Sequence, residues 1–313
     1  MRIAITGGSG FVGSHLARQL SASGHELVLI GRTRKGDPSL PRSTSYRIDL
    51  SNRDDLADAF AGCDAVAHCA GINREIGSQT YQRVHLEGTA NVVAAAKRAV
   101  VRKIALMSFL RARPSCGSKY HESKWEAEEI VRASGLEYVI VKSGMVFGEG
   151  DHMLDHLSHA ISTFPLIATV GFHERNIRPL AIEDLVHYLT AALTDSTQSN
   201  TTVALTGPEE LLLSEAVRRV ARVLGKRVPL IPAPVCFHYV LAQLFEWTMK
   251  VPLAAKAQVR ILAEGVVEPA TATDPIPASL MPVCRFDDLH IARGLPEPGP
   301  FGLNDLRCCL SHD

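Results

Sequence analysis

The residues that decide the fold stand at the start of the chain: Arg2-Ile3-Ala4-Ile5-Thr6-Gly7-Gly8-Ser9-Gly10-Phe11-Val12-Gly13. The apolar run predicts a strand over residues 2–6, and a helix-period segment follows the glycines. Three glycines at this spacing allow a tight turn, a close approach of backbone to a pyrophosphate, and close packing of helix on strand. We expect a dinucleotide to be held by Gly7, Gly10, Phe11, Val12 and Gly13. The alternative is a structural turn without a ligand.

The end of the next strand indicates which dinucleotide binds. A second strand is predicted over residues 26–30, and a ribose-binding acid normally follows the glycine loop by about 20 residues. The chain has Gly31-Arg32-Thr33-Arg34-Lys35 there instead. A carboxylate would repel a 2′-phosphate, whereas Arg32 and Arg34 can pair with one. The loop favours NADP(H) as the preferred cofactor, with NAD(H) as the alternative. A merely solvated basic loop would give the same pattern.

Short apolar runs and helix-period segments alternate through the first half of the chain. Strands are predicted at residues 2–6, 26–30, 45–48, 65–68, 103–107 and 138–142, and helices at residues 11–23, 53–60, 80–99 and 119–133. This order predicts an α/β fold: a Rossmann-type doubly wound parallel sheet with a smaller C-terminal α/β substrate-binding region. We place the NAD(P)-binding domain at residues 1–148 and the substrate-binding region at residues 149–313. The two are expected to interleave, because late segments should return to the sheet edge.

Composition and charge exclude several classes of protein. Thirty-three Lys and Arg balance 33 Asp and Glu among 313 residues, so no global field favours nucleic acid or an anionic membrane. Seven cysteines without a C-x-x-C pair indicate reduced thiols. The sequence shows neither a signal-peptide pattern nor an apolar run of about 18 residues. We expect a cytoplasmic protein that takes a small-molecule substrate, binds no nucleic acid and has no membrane span.

Two segments of the second half carry patterns that a ligand or a membrane could use. His152, His156 and His159 share one face of a predicted helix, but no further ligand has suitable spacing, so we expect no metal. A helix over residues 237–249 carries an apolar stripe, which fits a core or a lid over a cleft better than a membrane anchor. Peripheral association with a membrane or a protein complex is the alternative.

Four motifs stand in the order expected of one family. They are the glycine loop, Asp49-Leu50 after the third strand, Ala70-Gly71 after the fourth, and Tyr120-x-x-x-Lys124 at the start of a helix. Over residues 1–195 the chain resembles the short-chain dehydrogenase/reductase superfamily, in its extended and atypical branch, which is NAD-dependent epimerase/dehydratase-like. The resemblance implies that Asp49 and Leu50 border the adenine, and that Ala70 and Gly71 line the wall beside the ribose.

A second resemblance points to another kind of role. The stretch from Ala105 to Glu128 and the closing residues 301–307 resemble relatives of the nucleotide-binding accessory subunit of respiratory complex I. That likeness implies a protein in which bound nucleotide stabilises the fold without turnover. The superfamily resemblance also implies exposed helices that support a homodimer.

The spacing of Tyr120 and Lys124 has a chemical meaning. Residues four apart lie on one helix face, so the Lys124 ammonium can lie near both the Tyr120 phenol and a cofactor ribose. A nearby cation stabilises phenolate, which suits a tyrosine that exchanges a proton with an alcohol. Ser108 ends a strand, where its hydroxyl can hydrogen-bond a carbonyl, although Ser115 and Ser118 compete for that role. The predicted catalytic set is Ser108, Tyr120 and Lys124, with Lys124 also holding the cofactor.

One position departs from the family pattern. His85 stands where extended members usually carry Asn, and it can hold a water, donate near Tyr120, or be a satisfied core histidine.

The leading hypothesis is an NAD(P)-dependent oxidoreductase or epimerase that acts at a secondary alcohol or ketone by hydride transfer, with Tyr120 as general acid/base. The alternatives are a non-catalytic NADP(H)-binding structural or assembly subunit and a redox sensor. The sequence leaves the substrate open.

Overall fold

The computed structural model describes residues 1–32, 40–249 and 255–296, so Arg34 and residues 301–307 lie outside the described residues. The elements of the first half are β1 (Arg2–Thr6), α1 (Phe11–Ala22), β2 (Glu26–Gly31), β3 (Ser43–Arg47), α2 (Arg53–Ala59), β4 (Ala65–His68), a π-helical segment (Gln82–Glu87), α3 (Gly88–Arg98), β5 (Lys103–Phe109), α4 (Lys119–Arg132) and β6 (Glu137–Ser143).

The later elements are shorter and less regular. They are β7 (Val146–Phe147), α5 (His152–Thr163), β8 (Ile167–Val170), β9 (Asn176–Ile177), β10 (Leu180–Ala181), α6 (Ile182–Thr194), β11 (Thr201–Leu205), β12 (Leu211–Leu212), α7 (Leu213–Val223), β13 (Leu230–Ala233), α8 (Val235–Thr248), α9 (Lys256–Glu264), a 3₁₀ turn (Ala278–Leu280) and α10 (Asp288–Gly294).

Seven strands form one parallel sheet in the order β11-β6-β5-β4-β1-β2-β3. Every neighbouring pair in this sheet is parallel. The strand order reverses beside β1, which pairs with β2 on one side and β4 on the other. Ligands of open α/β sheets bind outside the carboxyl ends of the strands at such a switch point. The predicted doubly wound parallel sheet is confirmed.

The burial of the strands explains why they read as continuous apolar runs. All four residues of β4 are buried, as are the last four residues of β1, because helices cover both faces of a parallel sheet. One face packs on a core that includes Phe60, Val92, Ala96, Ile104 and Ile140. Strand β3 lies at the edge of the sheet and is exposed along much of its length, so its sequence alternates less clearly.

The chain divides into two compact units. The first contains Met1–Ser143, Ile182–Leu205 and Glu268–Pro282, and the second contains Gly144–Ala181, Thr206–Val267 and Val283–Asp313. The first unit therefore takes α6 and β11 from the later part of the chain. Asp274 also returns to it, where its N–H donates to Thr202 O at 2.7 Å. The domain boundary between residues 148 and 149 stays a prediction.

The second unit has its own apolar core among the described residues. Phe147 and Phe286 meet edge to face with ring centroids 4.8 Å apart, and Leu154, Val217 and Ile291 are buried with them. Helix α8 buries His238 and Ala242. Its Phe237, Val240 and Leu244 side chains are exposed at 48%, 71% and 50%, so these three do not belong to a core, while a lid over a cleft stays a prediction. No described helix combines the length and apolar character needed to cross a bilayer.

Candidate functional site

The glycine loop forms a backbone cradle at the carboxyl end of β1. Gly7 N–H and Gly8 N–H donate to Ile30 O at 2.8 and 3.1 Å, which ties the loop to the end of β2. Gly7 has φ +72°, and a Cβ there would lie 2.8 Å from the backbone nitrogen of Ala70. A Cβ at Gly13 would lie 2.2 Å from Gly7 O. Side chains are therefore excluded at both positions by backbone atoms, which cannot move aside.

Helix α1 begins directly after this cradle. Its N-cap is Gly10, which has no side chain to satisfy the first N–H groups, and its first turn, Phe11 to Ser14, contains no acidic residue. Unsatisfied N–H groups and the helix dipole favour an anion at such an end. The backbone of Phe11, Val12 and Gly13 is therefore suited to a pyrophosphate.

A cleft with a volume of about 260 Å³ runs from this cradle across the carboxyl ends of the strands. It is lined by Gly7, Ser9, Gly10, Ile30, Gly31, Arg32, Ile48, Asp49, Leu50, Cys69, Ala70, Gly71, Ile72, Gln79, Arg83 and Val84. Seven of the predicted cofactor residues thus meet in one cleft: Gly7, Gly10, Arg32, Asp49, Leu50, Ala70 and Gly71. The cradle and the mixed apolar and charged lining fit an elongated dinucleotide.

The residues that line the cleft include a charged pair, Asp49 and Arg83, that the sequence does not indicate. Asp49 Oδ1 accepts hydrogen bonds from Ser51 N at 2.9 Å and Ser51 Oγ at 2.7 Å. These bonds, with the charge of Arg83, hold the pKa of Asp49 below its ordinary value. Arg83 Nη2 lies 3.5 Å from Asp49 Oδ1. The sequence gives no signal for this pair, because Arg83 belongs to a helical segment 34 residues further along the chain.

Arg32 is exposed, lines the cleft and directly follows the end of β2. The pairing of Arg32 with a 2′-phosphate stays a prediction. Leu50 approaches α3 closely: its Cδ1 would lie 2.9 Å from a Cβ at Gly88, so a glycine at that position allows the approach.

Helix α4 brings Lys124 to the edge of the cleft. Lys124 Nζ donates to Met107 O at 3.2 Å, and a Cβ at Gly71 would lie 3.2 Å from the same nitrogen. The ammonium thus stands between the ends of β4 and β5. Burial lowers the pKa of Lys124 to about 8, while the charges of Glu128 and Cys69 act in the opposite direction. A cation here is suited to a ribose hydroxyl or another ligand oxygen.

Tyr120 lies one turn before Lys124 on α4, with its ring buried among other rings. The centroids of Phe109 and Tyr81 lie 5.3 and 5.6 Å from its own. Burial, and then the neighbouring Tyr81, raise the pKa of the Tyr120 hydroxyl above its ordinary value. Burial is therefore the main influence on this hydroxyl, and the stabilisation of phenolate by Lys124 stays a prediction. Within the described residues the hydroxyl makes no hydrogen bond, so it keeps a proton to give.

Ser108 is engaged by a buried ion pair. Its Oγ donates to Glu128 Oε1 at 2.5 Å, and the same carboxylate lies 3.0 Å from Lys142 Nζ. Both charged side chains are fully buried, and Arg132 Nη2 adds a third donor at 2.8 Å. The one hydroxyl proton of Ser108 is thus committed to Glu128. A carbonyl can receive it only if that bond is exchanged.

The competing serines have other surroundings. Ser118 is buried at the N-cap of α4, with its Oγ 2.6 Å from His121 Nδ1. Ser115 is exposed, with φ +49°. The Glu128–Lys142 pair was also missed, although one signal was present: Lys142 interrupts an apolar strand, where a charge needs a buried partner.

The histidine face of α5 holds its residues in separate contacts. The rings of His152 and His156 lie 5.9 Å apart, and His159 Nδ1 lies 3.0 Å from Asp155 O. Among the residues that the structure describes, no group of three or more His, Cys, Asp or Glu side chains is arranged to hold a metal ion.

The comparisons with known proteins agree with this geometry. Residues 7–157 match a family model described as NAD(P)H-binding. A ceramide reductase of Caulobacter vibrioides is 28% identical over 74% of this chain and 73% of its own length. The NADH-ubiquinone oxidoreductase 40 kDa subunit of Neurospora crassa is 23% identical over 71% of this chain and 60% of its own length.

Two further similarities concern length and fold. An uncharacterized protein of Mycobacterium tuberculosis is 29% identical over 75% of this chain, yet the chain spans only 24% of that protein. The structure of UDP-glucuronic acid 4-epimerase from Bacillus cereus in complex with NAD is similar with a TM-score of 0.69 and 18% identity. The match covers 94% of this chain and 97% of the epimerase chain. At that identity the likeness concerns the fold alone.

Proposed function

Because residues 7–157 match a family model described as NAD(P)H-binding, and the sequence resembles the extended branch of the short-chain dehydrogenase/reductase superfamily, we propose that the chain is an NAD(P)(H)-dependent oxidoreductase or epimerase acting at a secondary alcohol or ketone. The observation that carries the proposal is the arrangement of Tyr120 and Lys124. Tyr120 has a protonated hydroxyl without a partner among the described residues, and Lys124 reaches Gly71 in the cleft. A proton donor one helical turn from a cation that reaches the cleft wall is suited to carbonyl reduction.

The proposed cofactor is NADP(H), with NAD(H) as the alternative. Gly7, Gly10 and the N–H groups of residues 11–13 would hold the pyrophosphate, and Asp49 with Leu50 would border the adenine. Arg32, together with Arg34 beyond the described residues, would pair with a 2′-phosphate. Lys124 would hydrogen-bond the ribose next to the nicotinamide, beside Ala70 and Gly71. When bound, the nicotinamide supplies or accepts the hydride.

In the proposed mechanism the chain moves one proton for each hydride transferred. During reduction Tyr120 gives its proton to the carbonyl oxygen, and during oxidation it takes the proton back from the alcohol. Lys124 would hold a ribose hydroxyl of the cofactor, and its positive charge would favour the phenolate that Tyr120 becomes when it gives up its proton. Ser108 acts with Tyr120 and Lys124 only when its hydroxyl donates to the substrate oxygen instead of to Glu128.

The similar proteins suggest which classes of substrate to screen first. The ceramide reductase likeness makes lipid-like ketones the first compounds to screen, and the epimerase fold makes nucleotide sugars the second. The exposed apolar stripe of α8 is compatible with lipid or with association in a complex. We retain a cytoplasmic location and a homodimer as expectations of the same proposal.

The test is Tyr120→Phe, with Tyr46→Phe on the exposed edge strand as the control. The protein is first titrated with NADPH, NADH, NADP and NAD, and turnover is then measured with carbonyl substrates. We expect Tyr120→Phe to lower kcat by about 100-fold or more, with the NADPH Kd unchanged, because general acid catalysis contributes about that much. Equal turnover in Tyr120→Phe and the wild type would contradict the proposed role of Tyr120.

A second candidate is a non-catalytic NADP(H)-binding subunit of an assembly. Two observations favour it: the likeness to the Neurospora crassa subunit and the commitment of the Ser108 proton to Glu128. Under this proposal nucleotide co-purifies, resists exchange and raises the unfolding temperature, while Tyr120→Phe leaves binding and stability intact. Mass analysis of the purified protein, followed by dialysis against free nucleotide, distinguishes a slowly exchanging ligand from a cofactor in turnover.

A further inference from the structure

Both ring nitrogens of His85 are engaged in the first unit. Its Nε2 lies 3.1 Å from Ile72 N, and its Nδ1 lies 2.9 Å from Ser123 Oγ. A backbone N–H can only donate, so Nε2 accepts and the neutral ring carries its proton on Nδ1. That proton goes to Ser123 Oγ, and the Ser123 hydroxyl donates in turn to Tyr120 O at 3.0 Å. The chain of donors therefore has one direction.

The two ends of this hydrogen-bond chain belong to the two parts of the proposed site. Ile72 follows Ala70 and Gly71 in the cleft wall, while Ser123 stands between Tyr120 and Lys124 on α4. Gly71, in the cleft wall, lies close to both Lys124 on α4 and His85 on the π-helical segment. A Cβ at that position would be 3.2 Å from Lys124 Nζ and 3.6 Å from His85 Nε2.

The ring is held in a neutral, packed environment. His85 is 2% exposed and stacks on Tyr81 with ring centroids 5.3 Å apart. Tyr81 Oη also donates to Asn73 O at 2.9 Å. The stacked rings of Tyr81 and His85 therefore hold the backbone of two consecutive residues, Ile72 and Asn73. Burial, and then the charge of Lys124, lower the pKa of His85 to about 2. A protonated ring would in addition aim a second N–H at the Ile72 amide.

We infer that His85 is a positioning residue: a neutral clamp that fixes the cleft wall at residues 70–72 to the catalytic helix, so that the ribose-binding wall and Lys124 are set together. The inference rests on the proposed function for its catalytic part. It assigns no proton transfer to His85, since its donor and acceptor positions are both used structurally. Its role differs from a core histidine that merely fills space.

Two substitutions separate the two contacts. His85→Gln can place its amide oxygen where Nε2 lies, which keeps an acceptor for Ile72 N–H but removes the donor to Ser123. His85→Asn can place its amide nitrogen where Nδ1 lies, which keeps the donor to Ser123 but leaves Ile72 N–H unpaired. His187→Gln, at an exposed position on α6, is the matched control.

Hydrogen exchange at the Ile72 amide is the first measurement, since it needs neither cofactor nor substrate. We expect protection in the wild type and in His85→Gln, and exchange about tenfold faster or more in His85→Asn. The NADPH Kd should rise about tenfold in His85→Asn and stay within about twofold in His85→Gln. His85→Gln should lower kcat rather than raise KM, because it removes the hydrogen bond to Ser123, whose hydroxyl in turn donates to the backbone of Tyr120.

The outcomes distinguish this inference from the proposed function. An Ile72 amide that exchanges equally fast in the wild type and in His85→Asn overturns the clamp, whatever the activity. So does a kcat–pH limb of the wild type that disappears in His85→Gln, because that limb would mean that His85 titrates. A wild type that binds no nucleotide contradicts the proposed function instead, while protection of Ile72 that is lost only in His85→Asn still supports the clamp.

Discussion

The two ends of the cleft are built from different materials. The proposed nucleotide cradle consists of backbone: Gly7 and Gly13 leave no room for a Cβ, and the N-cap Gly10 has no side chain to satisfy the first N–H groups of α1. The end that we propose to be catalytic consists of side chains: Tyr120 and Lys124 lie on α4, the buried Glu128–Lys142 pair holds Ser108, and His85 contacts Ser123. A backbone site tolerates no added atom, whereas a side-chain site depends on partners from distant segments. The two ends should therefore fail in different ways.

The largest expected effect is on the stability of the catalytic end. Glu128→Ala leaves Lys142 as an unpaired buried charge and should lower the free energy of unfolding by about 3–5 kcal/mol. Denaturant unfolding measures it. Asp54→Ala breaks the exposed pair with Arg98 and should cost less than about 1 kcal/mol. Equal losses in the two variants would remove the distinction between a buried and a surface pair.

The second prediction breaks the cradle. Gly7→Ala should weaken NADPH binding about 100-fold, because a Cβ would meet the backbone nitrogen of Ala70 at 2.8 Å and push the loop aside. Gly24→Ala is the matched control: it also has positive φ, at +82°, but its Cβ would meet nothing within 4 Å. The control should lose stability through backbone strain alone and keep the Kd. Titration of both variants tests this comparison.

The third prediction concerns cofactor choice. Arg32→Gln should weaken NADPH about tenfold and NADH little, because only NADPH carries the 2′-phosphate. Arg83→Gln should weaken both nucleotides to the same smaller extent, since Arg83 pairs with Asp49 rather than with the position of that phosphate. Arg53→Gln, exposed on α2, serves as the control. An unchanged NADPH to NADH ratio in Arg32→Gln would contradict the preference for NADP(H).

The smallest effect is on pH dependence at the catalytic end. With a pKa of about 8, Lys124 is charged below that pH, so nucleotide binding should weaken as pH rises through 8. In Lys124→Arg the pH at which nucleotide binding weakens should be higher, because arginine stays charged. Stability should change in the opposite direction, rising between pH 8 and the ordinary pKa of 10.5, because the unfolded chain then binds the additional proton. Isothermal titration across this range, beside unfolding curves, checks both signs.

Much of the fold could be predicted from pattern alone. The strands at residues 2–6 and 65–68 match their predicted bounds, since each is a buried apolar run ended by turn residues. Strand β3 begins and ends earlier than predicted, because an exposed edge strand has a weaker pattern. The helix predicted over residues 80–99 contains a π-helical segment that periodicity could not show. A π segment is a local change in hydrogen bonding, and it carries both Arg83 and His85.

The sequence by itself determined the nucleotide cradle and the sheet, because glycine spacing and apolar runs are local properties of consecutive residues. It also pointed to Tyr120 and Lys124, which are separated by one helical turn. Only the tertiary structure decided that Ser108 is bound to Glu128, that Arg83 faces Asp49, and that His85 joins Ile72 to Ser123. These contacts join residues between 13 and 38 positions apart. Burial forces each polar group to find a partner, and packing, rather than sequence distance, selects which partner it finds.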